Sequence, residues 1–235
     1  MKWPYYDDDS VSAVHQFHHL MVYMAKLSAL SAEAMSDEGM NHPEVIAEKA
    51  ASIRNDLKLW WSRCPPRLRD QSNDWRRIPR PQKLSVAETL EEEAFSSTKS
   101  VLAGCFIYLN HILDPVGREP QNQEVIDAIS EILEIAKETP EGYGLEMGLY
   151  WGLFMAGIAV FNDPVAEDLI RRKLKSDTSV SIYVSFLSMF IQSIANWKQH
   201  ADRVLDLLEV LWKRQHQYNA KYDWRQVQTQ MGIQV

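Results

Sequence analysis

Apolar residues recur at every third or fourth position through most of this chain, and no stretch alternates apolar with polar residues convincingly. A helix buries one side with the first spacing and a half-buried strand needs the second, so the pattern commits the backbone to an all-α fold. Residues 10–35 carry Val11, Val14, Phe17, Met21, Met24 and Leu27 at that spacing, with Ser10 placed to cap the start. The Gly39 to Pro43 stretch interrupts the pattern. From Glu44 it resumes with Ile46, Ala50, Ile53, Leu57 and Trp60, and it stops at Cys64-Pro65-Pro66, where proline disfavours helical geometry in the residue before it.

Residues 65–82 form an arginine- and proline-rich loop without apolar period. A third helix is expected over Ser85 to Leu113, entered through a capping-box spacing of Ser85 and Glu88. Its second half is apolar around most of its circumference (Val101, Leu102, Cys105, Phe106, Leu109, Ile112, Leu113), which predicts a central position in the core. Val125, Ile126, Ile129, Ile132, Leu133 and Ala136 mark a fourth helix, followed by a turn at 139–144. Leu145 to Phe161 reads as a fifth helix, apolar all round, in which Gly148, Gly152 and Gly157 allow close approach of a neighbour. Asn162-Asp163-Pro164 ends it and starts another. A last strong stripe, Val204, Leu205, Leu207, Leu208, Leu211 and Trp212, predicts a helix over Ala201 to Tyr218.

With 235 residues, 46% of them hydrophobic and 24% charged, the chain has material for a real core and does not read as disordered. We expect residues 1–235 to form a single helical domain. The net charge of -7 repels a polyanion at long range, so direct DNA binding by this chain alone is not expected. Two cysteines, Cys64 and Cys105, suit a reducing compartment and are too few for a disulfide framework or a cysteine-based zinc site. The apolar segments 148–161 and 180–195 fall short of a membrane span, and the N-terminus lacks the pattern of a secretory signal, so an intracellular protein without membrane attachment is expected.

Val184 to Gln199 stands apart: rich in Ser, Phe and Ile, it carries no charge before Lys198 in a neighbourhood full of charge. Valine codons begin GT, glutamine can be written CAG, and Ala195-Asn196 can be written GCTAAC, a fungal branch-site sequence. Residues 184–199 therefore read either as a translated retained intron or as a genuine buried helix.

No arrangement of residues commits the chain to chemistry. His15 and His18 or His19 have metal-ligand spacing on a helix, but without a placed acidic neighbour they read as surface or packing histidines before they read as a metal site. Gly142, Gly144 and Gly148 match neither phosphate-loop spacing and read as a turn. Glu91, Glu92 and Glu93 are consecutive, point in different directions, and read as a solvated face. Cys105 sits in an apolar helix and reads as inert. The arginines between Arg63 and Lys83 could touch phosphate; pairing with nearby carboxylates is the plainer reading, with Trp60, Trp61 and Trp75 as packing. No catalytic, cofactor-binding or metal residue is assigned.

Four strings in order, Leu57 to Pro65, Ala103 to Pro115, Trp151 to Gly157, and Leu207 to Trp212 leading to Asp223-Trp224-Arg225, resemble the fungal-specific transcription factor domain, the helical region that follows a zinc binuclear cluster. The resemblance implies a multi-helix regulatory domain of a nuclear transcription regulator that carries no catalytic motif and works through proteins of the transcription machinery, a homodimer partner or a small effector. Grooves lined by Trp, Met and Tyr near Met147 to Phe161 are where such an effector is expected. The six-cysteine head of such factors has no counterpart here, since Cys64 and Cys105 stand 41 residues apart. Two other readings stay open: a helical enzyme of natural-product metabolism on a repurposed scaffold, and a gene fragment without function.

Overall fold

The computed structural model describes residues 13–69, 86–139, 149–175 and 191–232, and among these it is helical with no strand. In chain order the helices are α1 (Ala13–Ala34), α2 (Asp37–Asn41), α3 (Pro43–Arg63), α4 (Pro66–Arg69), α5 (Val86–Leu113), α6 (Gln123–Glu138), α7 (Tyr150–Ala159), α8 (Pro164–Lys175), α9 (Ile191–Tyr218) and α10 (Trp224–Met231). The all-α expectation holds.

Helix α5 is the axis of the packing. It lies against α1, α3, α6 and α7, and Val101, Cys105 and Leu109 on it are fully buried. Its neighbours turn their apolar stripes toward it: Leu20 and Leu27 of α1, Leu57 of α3, Ile132 and Ile135 of α6, and Leu153 and Met155 of α7. Burying a Leu or Ile side chain stabilises by roughly 1.5–3 kcal/mol, so this shared interior is the main favourable contribution to the fold. Helices α8 and α9 close the far side around Ile170, Leu208, Leu211 and Trp212, and the Trp212 indole donates to the Gly157 carbonyl at 2.9 Å.

Short polar residues set the boundaries. Asn122 accepts from the Val125 amide at 3.0 Å, Asp163 from Val165 and Ala166 at 3.1 and 3.0 Å, and Ser36 from Gly39 at 3.1 Å. Each satisfies a backbone donor that the first helical turn leaves open.

Several expected boundaries move. The 39–43 stretch, read as a break, is largely helical: residues 37–41 form a Ser36-capped turn of helix, and Pro43 begins α3, because a missing N–H costs nothing at a first helical position. Within the expected loop 65–82, Pro66–Arg69 is one helical turn, and 70–85 lie outside the described residues. Of the expected fifth helix, 145–148 also lie outside them, and α7 stops at Ala159, where Val160 turns extended and Asn162 takes a left-handed φ of 53°. Leu113 is exposed rather than buried. Helix α9 begins ten residues before the expected Ala201, since uncharged 191–197 gave no boundary signal. Of the segment 184–199, residues 184–190 are outside the described set, and 191–199 form the first turns of α9.

Two glycines of α7 face neighbours as expected, while Gly148 lies outside the described residues. A Cβ on Gly157 would meet the mobile end of Leu208 at 2.7 Å, whereas one on Gly152 would lie 1.9 Å from Ser100 Oγ and 3.2 Å from the Ser100 carbonyl oxygen on α5. Gly152→Ala must therefore turn the buried Ser100 hydroxyl away and also crowd the Ser100 carbonyl of α5. It is expected to lower unfolding free energy by about 1–3 kcal/mol in urea titrations, with Gly157→Ala costing less because a leucine end can rotate.

Candidate functional site

The residues singled out from sequence do not converge. His15, His18 and His19 are all exposed on α1. The His15 and His19 rings lie 6.5 Å apart and His19 stacks on Trp60 at 6.1 Å, while His18 sits beside Phe17. Among the described residues no three His, Cys, Asp or Glu side chains are gathered as metal ligands. Trp60 and Trp61 pack against the core from α3, as expected.

Both thiols are buried, and burial pushes Cys105 up to about 12 and Cys64 up to about 11, far from thiolate chemistry. Arg69 donates to the Cys64 carbonyl at 2.7 Å, a local contact that closes the α3–α4 turn. The side chains of Arg67 and Glu91 to Glu93, and residues 142–144, lie outside the described set, as do Trp75, Arg76, Arg77, Arg80 and Lys83.

Four buried polar residues, Ser31, His111, Asp223 and Arg225, meet elsewhere, where α1, α5 and α10 join. Asp223 caps α10, its Oδ1 accepting from the Arg225 amide at 3.0 Å. Both of its oxygens also accept from the Arg225 guanidinium at 2.9 Å, a two-pronged pairing that matches the planar fork of arginine. The remaining Arg225 prong donates to Ser31 of α1 at 3.2 Å, and His111 Nε2 of α5 stands 3.4 Å from Asp223 Oδ1. Trp224 fills the space beside them, edge-on to Phe154 at 5.0 Å and 6.1 Å from the His111 ring.

Burial alone would raise the Asp223 carboxyl, but hydrogen bonds from His111 and Arg225 outweigh it and hold the group well below the usual carboxylate range. For His111 burial wins over the attraction of Asp223, and the imidazole is lowered, hence neutral at neutral pH. With its lone pairs committed, Asp223 is poorly placed to accept a substrate proton. The cluster ties three helices together.

Beside it a cleft of about 30 Å³ opens among Asn110, His111, Asp114, Gln121, Lys221 and Tyr222. That is space for a water molecule or two rather than an organic effector. It borders Ile158 and Ala159, one end of the stretch where an effector groove is expected, while Met147 lies outside the described residues. A second polar tie joins α8 to α9: Arg171 pairs with Glu209 at 2.5 and 3.1 Å, and His216 meets the buried Glu167 at 2.9 Å.

The signal for α10 was present in the sequence. Asp223 ahead of Trp224, Val227 and Met231, with Gly232 after them, has the spacing of a capped, glycine-ended helix. The pairing of Arg225 with Ser31, 194 positions away, had no local signal.

A helical bundle held by buried polar ties is a common architecture, and the sequence comparison narrows it to one class. The family model described as fungal specific transcription factor domain matches residues 17–235. The chain belongs to that family, which makes it a transcription regulator with a nuclear role. No curated protein and no solved structure matches the chain at significant similarity. No helix among the described residues is long and apolar enough to cross a membrane.

The lowered His111 fixes a pH dependence. Between its folded value and about 6.5, the ordinary value for histidine, the unfolded chain takes up a proton that the folded chain refuses, so stability falls as pH drops. Asp223 adds nothing in this window, because its contribution is complete above the unfolded carboxylate range and is lost only in stronger acid. Urea titrations of His111→Asn are expected to show less loss of stability between pH 7 and 5 than those of the unaltered chain; an equal loss in both would show that other histidines carry it.

Proposed function

We propose that this chain is the regulatory domain of a fungal transcription factor, acting in the nucleus on transcription by RNA polymerase II through protein contacts and without catalysis. The carrying observation is the family match over residues 17–235. The partners are proteins of the transcription machinery or a homodimer partner. A small effector between the helices is a second route of control, which the narrow cleft beside Lys221 supports only for very small species. With a net charge of -7 and two cysteines, the chain alone does not read DNA.

The test is to fuse residues 1–235 to an unrelated DNA-binding domain upstream of a reporter gene in a fungal host. Reporter output is expected to rise or fall several-fold, and a fluorescent fusion to gather in the nucleus. Unchanged output from a well-folded, nuclear fusion would overturn the reading and return attention to an enzyme or a functionless fragment.

We propose also that residues 1–235 form one unit in which 184–199 derive from a retained intron. The uncharged composition of that segment and its GT-like and AG-like edges support this. Transcript sequencing is expected to find reads joining Tyr183 to His200; abundant reads running through the segment unspliced would remove the idea.

A further inference from the structure

The turn between α9 and α10 carries a lysine that the fold half-buries without giving it a partner. The Lys221 side chain lies across Gly117, in the turn after α5, where a Cβ would stand 3.3 Å from its Nζ and closer still to its stem. A φ of 61° reserves position 117 for glycine, so that space stays open. Among the described residues no acceptor lies within hydrogen-bond distance of Nζ; its neighbours are the Phe161 ring, 5.8 Å away, and the field of Asp114. Burial lowers the ammonium and Asp114 only partly opposes this, so the cation has lost water and gained little in return.

Lys221 lines the cleft of about 30 Å³ described above, and two uncharged donors line it too. Asn110 accepts from Asn122 at 3.3 Å through its oxygen, which leaves its amide NH2 without an acceptor among the described residues, and the Tyr222 hydroxyl has none either. His111 and Gln121 are already committed, to Asp223 and to the Ala159 carbonyl. The acids on the wall do not answer the lysine. Both oxygens of Asp114 accept at 2.9 Å from the Arg118 and Glu119 amides, and Glu119 is exposed, where water and salt screen it.

Donors gathered around an unanswered cation call for an anion, and the opening limits its size. It replaces about two waters, which three or four heavy atoms in one plane can do and a tetrahedral sulfate or phosphate cannot. We propose that this cleft binds a small flat oxyanion of single charge, of the size of formate or nitrate, held by Lys221 with Asn110 and Tyr222 as further donors. This deepens the small-effector route of the regulatory reading and rests on that reading for its purpose. Lys221 stands two residues before Asp223, so an ion that draws it toward Asn110 of α5 tightens the turn that enters α10.

The test is a nuclear magnetic resonance titration of the isotope-labelled full chain with sodium formate and with sodium nitrate, against sodium chloride at equal ionic strength. Saturable amide shifts are expected at Gly117, Lys221 and Tyr222 with the two oxyanions, at a dissociation constant on the order of 1 mM, the range that so few heavy atoms can reach. Lys221→Met keeps the stem over Gly117, and Asn110→Asp keeps the acceptor for Asn122 while replacing the donor with a like charge. Each is expected to weaken binding by about tenfold or more, with the circular dichroism spectrum and melting close to those of the unaltered chain. Chloride reproducing the same shifts, or shifts that survive both variants, would show an adventitious ion only and overturn the proposal. Absence of saturable shifts alongside normal reporter output would remove the site and leave the regulatory reading. Binding that Lys221→Met abolishes, in a fusion with no reporter output, would leave the site and sink that reading; binding in an active fusion whose output Lys221→Met does not change would overturn the effector role.

Discussion

A helix that is apolar around most of its girth cannot face water on any long side, and α5 imposes that condition on this chain. Val101, Cys105 and Leu109 are fully enclosed, and enclosing them takes partners from before and after α5 in sequence, α1 and α3 on one hand and α6 and α7 on the other. Each partner can serve only because its own apolar residues fall on one stripe, so the periodicities along the chain and the burial of α5 are one constraint seen from two ends. The approach of Gly152 of α7 to Ser100 of α5 is a tight expression of it: the Ser100 hydroxyl occupies the space that a Cβ at 152 would need.

Apolar burial of this kind is permissive about how helices slide, and the polar ties remove that freedom. Arg225, Asp223, His111 and Ser31 belong to three helices, and their bonds are satisfied only in one alignment. Such a cluster need not add net stability, since taking an ion pair out of water costs about as much as the pairing returns; removing one member, though, leaves a buried charge without a partner at roughly 3–5 kcal/mol. The weight therefore falls on alignment. Arg171 with Glu209 fixes α8 to α9 nearer the surface, where water screens the charges and the pair matters less, and the half-exposed His216 reaches the buried Glu167 across the same two helices.

The fold was legible wherever the cause was local. Ile46, Ala50 and Leu57 announced the buried side of α3, Pro65 its end, and Asp163-Pro164 the start of α8. Legibility failed where a boundary depends on distant packing: nothing in 191–200 signals where α9 begins, and Leu113, the last residue of α5, is apolar yet exposed beside the buried Ile112. The polar junction was less legible than the fold. His111 and Asp223 are 112 positions apart and Arg225 and Ser31 194, so no spacing rule brings them together, and the histidines that sequence did single out are surface residues of α1. Chemistry-bearing residue types attract attention in a sequence by clustering, whereas folding buries those that can satisfy one another across helices.

Helix α1 carries these two kinds of contact back to back. Ser31 is buried and holds Arg225, while the next residue, Ala32, is exposed. A helix is only about 10 Å across, and its side chains are set by one rigid backbone, so α1 cannot turn or slide to suit something on its outer face without moving Ser31 relative to Arg225. The 3.2 Å contact then acts as a stop. Ser31 and Arg225 thus help to set the rotation of α1 in the bundle, at the junction of α1, α5 and α10 where the unpaired alternative is most costly.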